Sequence, residues 1–234
     1  MIIGFWSAKG GSGVSVFAAA CAIVASRRSR VTLVDCAGDQ PRLLGVADPE
    51  LGVRDWLAID TGSAESLARI AVEATPGITL LGAGADTLSV DTLSADIRSA
   101  DADAGARLAT ALRAHDGLVI IDLGRAEGPV LHGLGRALDV LVLVMRPCYL
   151  AFNRALGHPL TAISRGVVLN DEARPLGARD LRPILGLPLL ASFEPCPAAA
   201  RAIDGGTLPF RVHESLARPA SALIEQVELG HRAA

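Results

Sequence analysis

Lysine is nearly absent from this chain. Its 234 residues include twenty-one arginines but a single lysine, Lys9. Aromatic side chains make up only 3% of the residues although half are hydrophobic, so the core has to be built from Ala, Val, Leu and Ile. There is no excess of positive charge. The formal net charge of −3 provides no general field for nucleic acid, and the run Arg27-Arg28-Ser29-Arg30 reads as a solvated helix end. The four cysteines, Cys21, Cys36, Cys148 and Cys196, are far apart and form no C-x-x-C pair. That gives no metal-site signal and fits buried or inert thiols in a reducing cytosol. No apolar run approaches the roughly 18 residues that would span a bilayer. The first apolar stretch has no basic segment before it and is broken early by glycines, unlike a signal peptide. The expectation is a cytoplasmic protein in which residues 1–234 form one domain with a substantial core.

Short β-branched runs alternate with longer Ala- and Leu-rich stretches at helical spacing. Strands are expected at Ile2–Trp6, Val31–Asp35, Ile78–Leu81, Leu118–Asp122, Val140–Met145, Gly166–Asn170 and Leu187–Phe193. Helices are expected at Val14–Ser26, Ala64–Val72, Ala104–Ala114, Gly128–Ala137, Leu150–Ser164, Ala178–Arg182, Ala198–Asp204 and Ser215–Val227. The runs VIID and VLVLVM are almost continuously apolar, as in strands buried on both faces of a parallel sheet. The alternation predicts an α/β fold: a doubly wound, mostly parallel sheet with helices on both faces. The polar stretch 86–103 reads as a surface segment.

In such a sheet, ligands bind at the carboxyl ends of the strands. After the first strand the chain reads Ser7-Ala8-Lys9-Gly10-Gly11-Ser12-Gly13-Val14-Ser15. Glycines there let backbone amides turn inward as an anion nest, and the helix start adds partial positive charge. An ammonium meets a phosphate as a point charge, so the one lysine of the chain stands where it is useful. Lys9, Gly10, Gly11, Ser12, Gly13, Val14 and Ser15 are thus the candidate phosphate loop, the other reading being a Gly-rich βα turn that merely packs closely. A G-x-x-x-x-G-K-[ST] loop would carry lysine at Val14, however. The Ser15 hydroxyl is a candidate Mg²⁺ ligand. So are Asp35 and Asp122, each of which ends a buried strand at its carboxyl edge.

In this order, the motifs resemble those of the ParA/MinD family of deviant Walker A ATPases, which are P-loop NTPases that position plasmids, chromosomes, division sites and pili. K-G-G-x-G with Lys9 resembles the signature loop. Val-Asp35 resembles the strand leading into the first switch, and Ile-Ile-Asp122 the Walker B strand. Val140–Met145 with Arg146-Pro147 resembles the next strand and its proline-bearing loop. Gly166–Asn170 resembles the strand whose terminal Asn reads adenine, and Leu187–Pro195 with the residues after it the closing strand and helix. The resemblance implies ATP or ADP and Mg²⁺ as cofactors, Lys9 and Asp122 as catalytic residues, and Asn170 as a base contact. It also implies a nucleotide-sandwich homodimer. There Lys9 reaches across to the partner's phosphates, or else folds back in cis to replace the missing lysine.

Three departures from the family pattern weaken the site. The phosphate-cradling lysine is Val14, and the hydroxyl residue two beyond it is Val16. The D-x-D of the first switch is Asp35-Cys36-Ala37, and Asp39 lies nearby at the wrong spacing. The residue before Lys9 is Ala8. A charge-assisted hydrogen bond is worth about 1.5–3 kcal/mol, so losing the lysine weakens nucleotide binding about ten- to a hundredfold. Hydrolysis suffers further, because nothing obvious orients the attacking water. The expected protein is a dimeric positioning or partitioning scaffold with a degenerate ATP site, placing a cellular cargo (DNA, division or pilus/secretion machinery) with an unidentified protein cargo or adaptor as partner. The alternatives are a working ATPase with a monomer–dimer cycle, or a metabolic or iron–sulfur enzyme of the same fold. The C-terminal segment Ser215–Ala234 sets Arg218 and Arg232 against Glu225 and Glu228 and has no basic face for a membrane. DNA binding through scattered arginines stays open as an alternative that nothing in the pattern supports.

Overall fold

The computed structural model describes residues 1–59, 62–84, 102–172 and 175–232. Eight strands form one sheet: β1 Ile2–Ser7, β2 Val31–Asp35, β3 Val72–Thr75, β4 Ile78–Leu81, β5 Leu118–Arg125, β6 Val140–Met145, β7 Gly166–Asn170 and β8 Leu189–Phe193. Their order is β3-β4-β2-β5-β1-β6-β7-β8, and every pairing is parallel except β3 with β4. The helices are α1 Val14–Ser26, α2 Gln40–Leu44, α3 Val53–Leu57, α4 Ala64–Arg69, α5 Ala102–Leu112, α6 Pro129–Arg136, α7 Tyr149–Leu156, α8 Ala178–Leu185, α9 Pro197–Asp204 and α10 Glu214–Arg232.

Side chains of β1 alternate between two cores, as the two-residue period of a strand requires. Ile2 and Trp6 join α3 to α8 on one face, while Ile3 and Phe5 join α1, α2, α9 and α10 on the other. Both faces are therefore covered, which explains the unbroken apolar runs of β5 and β6. Helix α1 lies deep in the second core, with Phe17 to Val24 all buried, and its end is tied to α10 by Arg28–Glu225 at 2.8 Å. On the other face α5 and α6 approach closely at Gly105, where a β-carbon would sit 2.1 Å from the Val130 carbonyl oxygen. Among the described residues, no helix is long and apolar enough to cross a membrane.

The expected α/β sheet is present, with local corrections. The stretch expected as one helix from Ala64 to Val72 ends at Arg69, and Val72–Thr75 pairs with β4 across a Pro76-Gly77 turn in which Gly77 has φ +85°. A β-branched residue and a left-handed glycine favour this hairpin over more helix. The expected helix Leu150–Ser164 breaks at Gly157, leaving α7 and a 3₁₀ turn at Thr161–Ile163. Helix α8 continues to Leu185 despite Pro183, and β8 starts at Leu189, two residues later than expected. Helices α2 and α3 have no counterpart among the expected elements. The polar segment expected over 86–103 lies outside the described residues up to 101, and its last two residues open α5.

Candidate functional site

The strand order places the site. The chain runs from β1 to β2 on one side, returns as β5 between them, and continues as β6 on the other side, so a crevice opens at the carboxyl ends beside β1. The loop Lys9–Gly13 leaves β1 there and enters α1. Its conformation depends on glycine: Gly11 has φ +72° and Gly13, the residue before α1, φ +87°. Non-glycine residues rarely adopt this region. No atom lies within 4 Å of a β-carbon built on Gly10 or Gly11, so the loop is open above. No side chain caps α1 and no acidic residue occupies its first turn, which leaves that helix end electrostatically receptive to an anion. Beneath the loop the Ser12 hydroxyl donates to the Lys9 carbonyl at 2.6 Å and closes it into a compact turn. Among the described residues, no hydrogen bond or ion pair engages the ammonium of Lys9, a half-buried residue.

Val14, at the position of the expected cradle lysine, is 5% exposed and belongs to the core under α1. Its side chain serves packing and places no cation at the head of α1. Asn170, at the end of β7, does meet the loop: its amide donates to the Ser12 carbonyl at 3.4 Å. The buried Oδ1 of Asn170 has no partner among the described residues, so it remains an idle acceptor for a donor such as an exocyclic amine. Phe193, at the end of β8, stacks on Phe17 and lies 3.1 Å from a β-carbon built on Gly13.

The two carboxylates are brought together by register, since Asp35 of β2 and Asp122 of β5 are directly paired on adjacent strands. Both are fully buried. Asp35 is occupied by backbone: its Oδ1 accepts the amides of Ala37 at 2.8 Å and Gly38 at 2.7 Å, and its Oδ2 that of Gln40 at 2.9 Å. It thus folds the loop after β2 around itself. Asp122 accepts the Gly124 amide on Oδ1 at 2.9 Å and the Gln40 side-chain amide on Oδ2 at 2.8 Å. Burial, and then the neighbouring Asp35, push the Asp122 carboxyl up to about 7. Burial also raises Asp35, opposed by its three amide donors. The pair therefore retains a proton into the neutral range, since two adjacent buried carboxylates repel.

The loop after β2 also delivers side chains that the spacing did not predict. Asp39 lies at the start of α2, where its Oδ2 accepts the Ser15 hydroxyl at 3.2 Å; that hydroxyl also tempers Asp122. The carboxylate at Asp39 thus reaches the start of α1, beside the glycine loop, by a different fold of the segment. Gln40, fully buried, also donates to the Ser15 carbonyl at 3.0 Å and locks the start of α1 to Asp122. Its only signal in the sequence is an uncharged polar residue between Asp39 and Pro41. Arg54 in α3 approaches Gly38 and moderates the buried Cys36 thiol, so a cation stands beside this loop. Arg146 after β6 is ion-paired with Glu172 after β7. Trp6 is a packing residue, stacked on His158 with 4.3 Å between ring centres and donating to the Ser164 hydroxyl at 2.9 Å.

The open glycine loop and the idle Asn170 oxygen fit a nucleotide's phosphates and base. The metal position is more constrained, since in this conformation Asp35 and Asp122 are already satisfied and Ser15 is engaged with Asp39. A cation there would be held through Ser15 and Asp122 only after Gln40 and Asp39 yield.

No protein-family model matches the chain, and no curated protein matches it in sequence. Solved structures do resemble it in fold. A ParA family ATPase from Chlorobium tepidum TLS has a TM-score of 0.76 at 19% identity, covering 95% of this chain and 98% of that one. The septum site-determining protein MinD from Pyrococcus horikoshii OT3, solved with Mg-ADP, has a TM-score of 0.76 at 18% identity, over 97% and 95% of the two chains. A Cyanothece McdA variant in complex with ATP has a TM-score of 0.75 at 16% identity, over 97% and 96%. This chain has the P-loop NTPase fold of the ParA and MinD ATPases over nearly its whole length.

Proposed function

We propose that the protein is a ParA/MinD-like cytoplasmic positioning factor with a degenerate ATP site, residues 1–234 acting as one unit. It binds ATP or ADP with Mg²⁺ weakly, hydrolyses it slowly or not at all, and works as a homodimeric scaffold that places a protein cargo or adaptor. The observation that carries this is the combination at the head of α1. An open glycine loop is retained, but Val14 is turned into the core where a phosphate-binding lysine would stand.

The chemistry follows from the residues. Loop amides and the α1 terminus bind the phosphates, Lys9 supplies the one ammonium, and Asn170 offers its idle oxygen to the base. Bound Mg²⁺ would neutralise phosphate charge near Ser15 and Asp122. With Val14 apolar, little positive charge stabilises a transferring phosphoryl group, so turnover is slow. A second reading, an active ATPase with a monomer–dimer cycle, is favoured by one contact only: Asp39 at Ser15 supplies a carboxylate close to where water would be activated.

Phosphate release and sedimentation, each measured with Mg-ATP, separate the two. The scaffold reading expects release no faster than that of Asp122→Ala, together with a dimer in solution. Release at least about tenfold above that variant, lost in Asp39→Ala, would establish the active enzyme instead.

A further inference from the structure

Cys196, His213 and Ser215 form a side-chain cluster beyond the carboxyl end of β8. Cys196 follows β8 and immediately precedes α9. Pro197 has no N–H, so the first free amides of that helix belong to Ala198 and Ala199. Those amides, with Ala199 contributing most, hold the Cys196 thiol below its ordinary range. They lie at the positive end of α9, which favours the thiolate. The Cys196 sulfur lies 3.6 Å from His213 Nδ1 and 3.7 Å from Nε2. The Ser215 backbone N–H donates to Nδ1 at 3.2 Å. Nδ1 is thereby held as an acceptor, and the imidazole lies against the sulfur at nearly equal distances from its two nitrogens. The Ser215 hydroxyl is 3.0 Å from Nδ1 and also favours the thiolate. Arg201, one turn into α9, adds positive charge.

A sulfur nucleophile, an imidazole within reach and a third group orienting that imidazole make up an activated thiol. The other cysteines provide the contrast: Cys21 and Cys36 are buried and burial pushes both thiols up, and Cys148 lacks such a cluster among the described residues. We propose that Cys196 is a site of reversible thiol–disulfide exchange with low-molecular-weight disulfides. The thiolate attacks one sulfur of the disulfide, the S–S bond of the small molecule breaks, and a mixed disulfide forms at Cys196. The departing thiolate takes up a proton from water, and excess small thiol reverses the exchange. Nothing in this chemistry depends on whether the nucleotide loop is filled.

The test uses the full-length reduced protein, oxidised glutathione as probe and peptide mass spectrometry as readout, with iodoacetamide alkylation followed against pH. Cys196 should form the mixed disulfide at least about fivefold faster than Cys148. Its alkylation midpoint should lie below the ~8.5 of a free cysteine. His213→Asn and Ser215→Ala should each slow the exchange and move the midpoint upward, with circular dichroism unchanged. A Cys196 midpoint equal to that of free cysteine, or a rate no greater than that of Cys148, overturns the proposal. So does a rate indifferent to both variants. If one variant fails to fold, the pH profile of the native protein and the other variant still decide the matter.

Discussion

Replacing Asp122 with asparagine should flatten the pH dependence of the ligand-free protein's stability. The folded chain holds the Asp122 carboxyl near 7, against about 3.9 for an exposed Asp. A carboxyl raised on folding binds its proton more tightly in the native state. Its contribution is therefore fully present below about pH 4 and is lost as pH climbs towards 7, beyond which the fold carries a buried negative charge. Three units at about 1.4 kcal/mol each set an upper bound of about 4 kcal/mol. Sharing of the proton with Asp35 lowers this, and about 2–3 kcal/mol should be lost between pH 5 and 8. Asn retains an oxygen for the Gly124 amide. Its new amide faces Gln40, whose buried Oε1 has no partner among the described residues and becomes an acceptor when that side chain flips. Urea denaturation at pH 5, 7 and 8 measures the difference directly. The native stability should fall relative to Asp122→Asn as pH rises, so that the two lines diverge. Parallel lines across this range would refute the buried carboxylate pair as described.

Gly13→Ala should destabilise the protein by about 1–3 kcal/mol in thermal denaturation. Its φ of +87° strains any side chain, and the methyl would meet the Phe193 ring at 3.1 Å and the Asn170 amide at 3.2 Å. Lys9→Ala should leave stability within about 0.5 kcal/mol, because among the described residues nothing pairs with that ammonium. It should nevertheless lower nucleotide affinity about tenfold, as measured by calorimetry or a fluorescent analogue.

The sheet was legible because its strands are buried on both faces, and continuous apolar runs such as those of β5 and β6 have few other interpretations. Four of the expected strands and helix α1 appear with their expected bounds. Strand β3 escapes the pattern because its four residues are exposed or half-exposed and follow a helix without a break in polarity. The site was legible wherever backbone chemistry sets it, as at the glycines before α1 and the two Asp residues ending β2 and β5. It was illegible where a loop fold decides. The spacing set Asp39 aside, yet Asp35 gathers the amides of Ala37, Gly38 and Gln40 and so turns Asp39 towards Ser15. Gln40 carried no motif at all, because its role depends on the register that places Asp122 beside Asp35.

Titration calorimetry of Mg-ATP into the native chain and into Val14→Lys is the most direct test of a retained but weakened nucleotide loop. The native protein should bind measurably, and the variant about ten- to a hundredfold more tightly, the value of one charge-assisted contact. Equal affinity in the two proteins would contradict the role assigned to position 14, and binding by neither would contradict the nucleotide site itself.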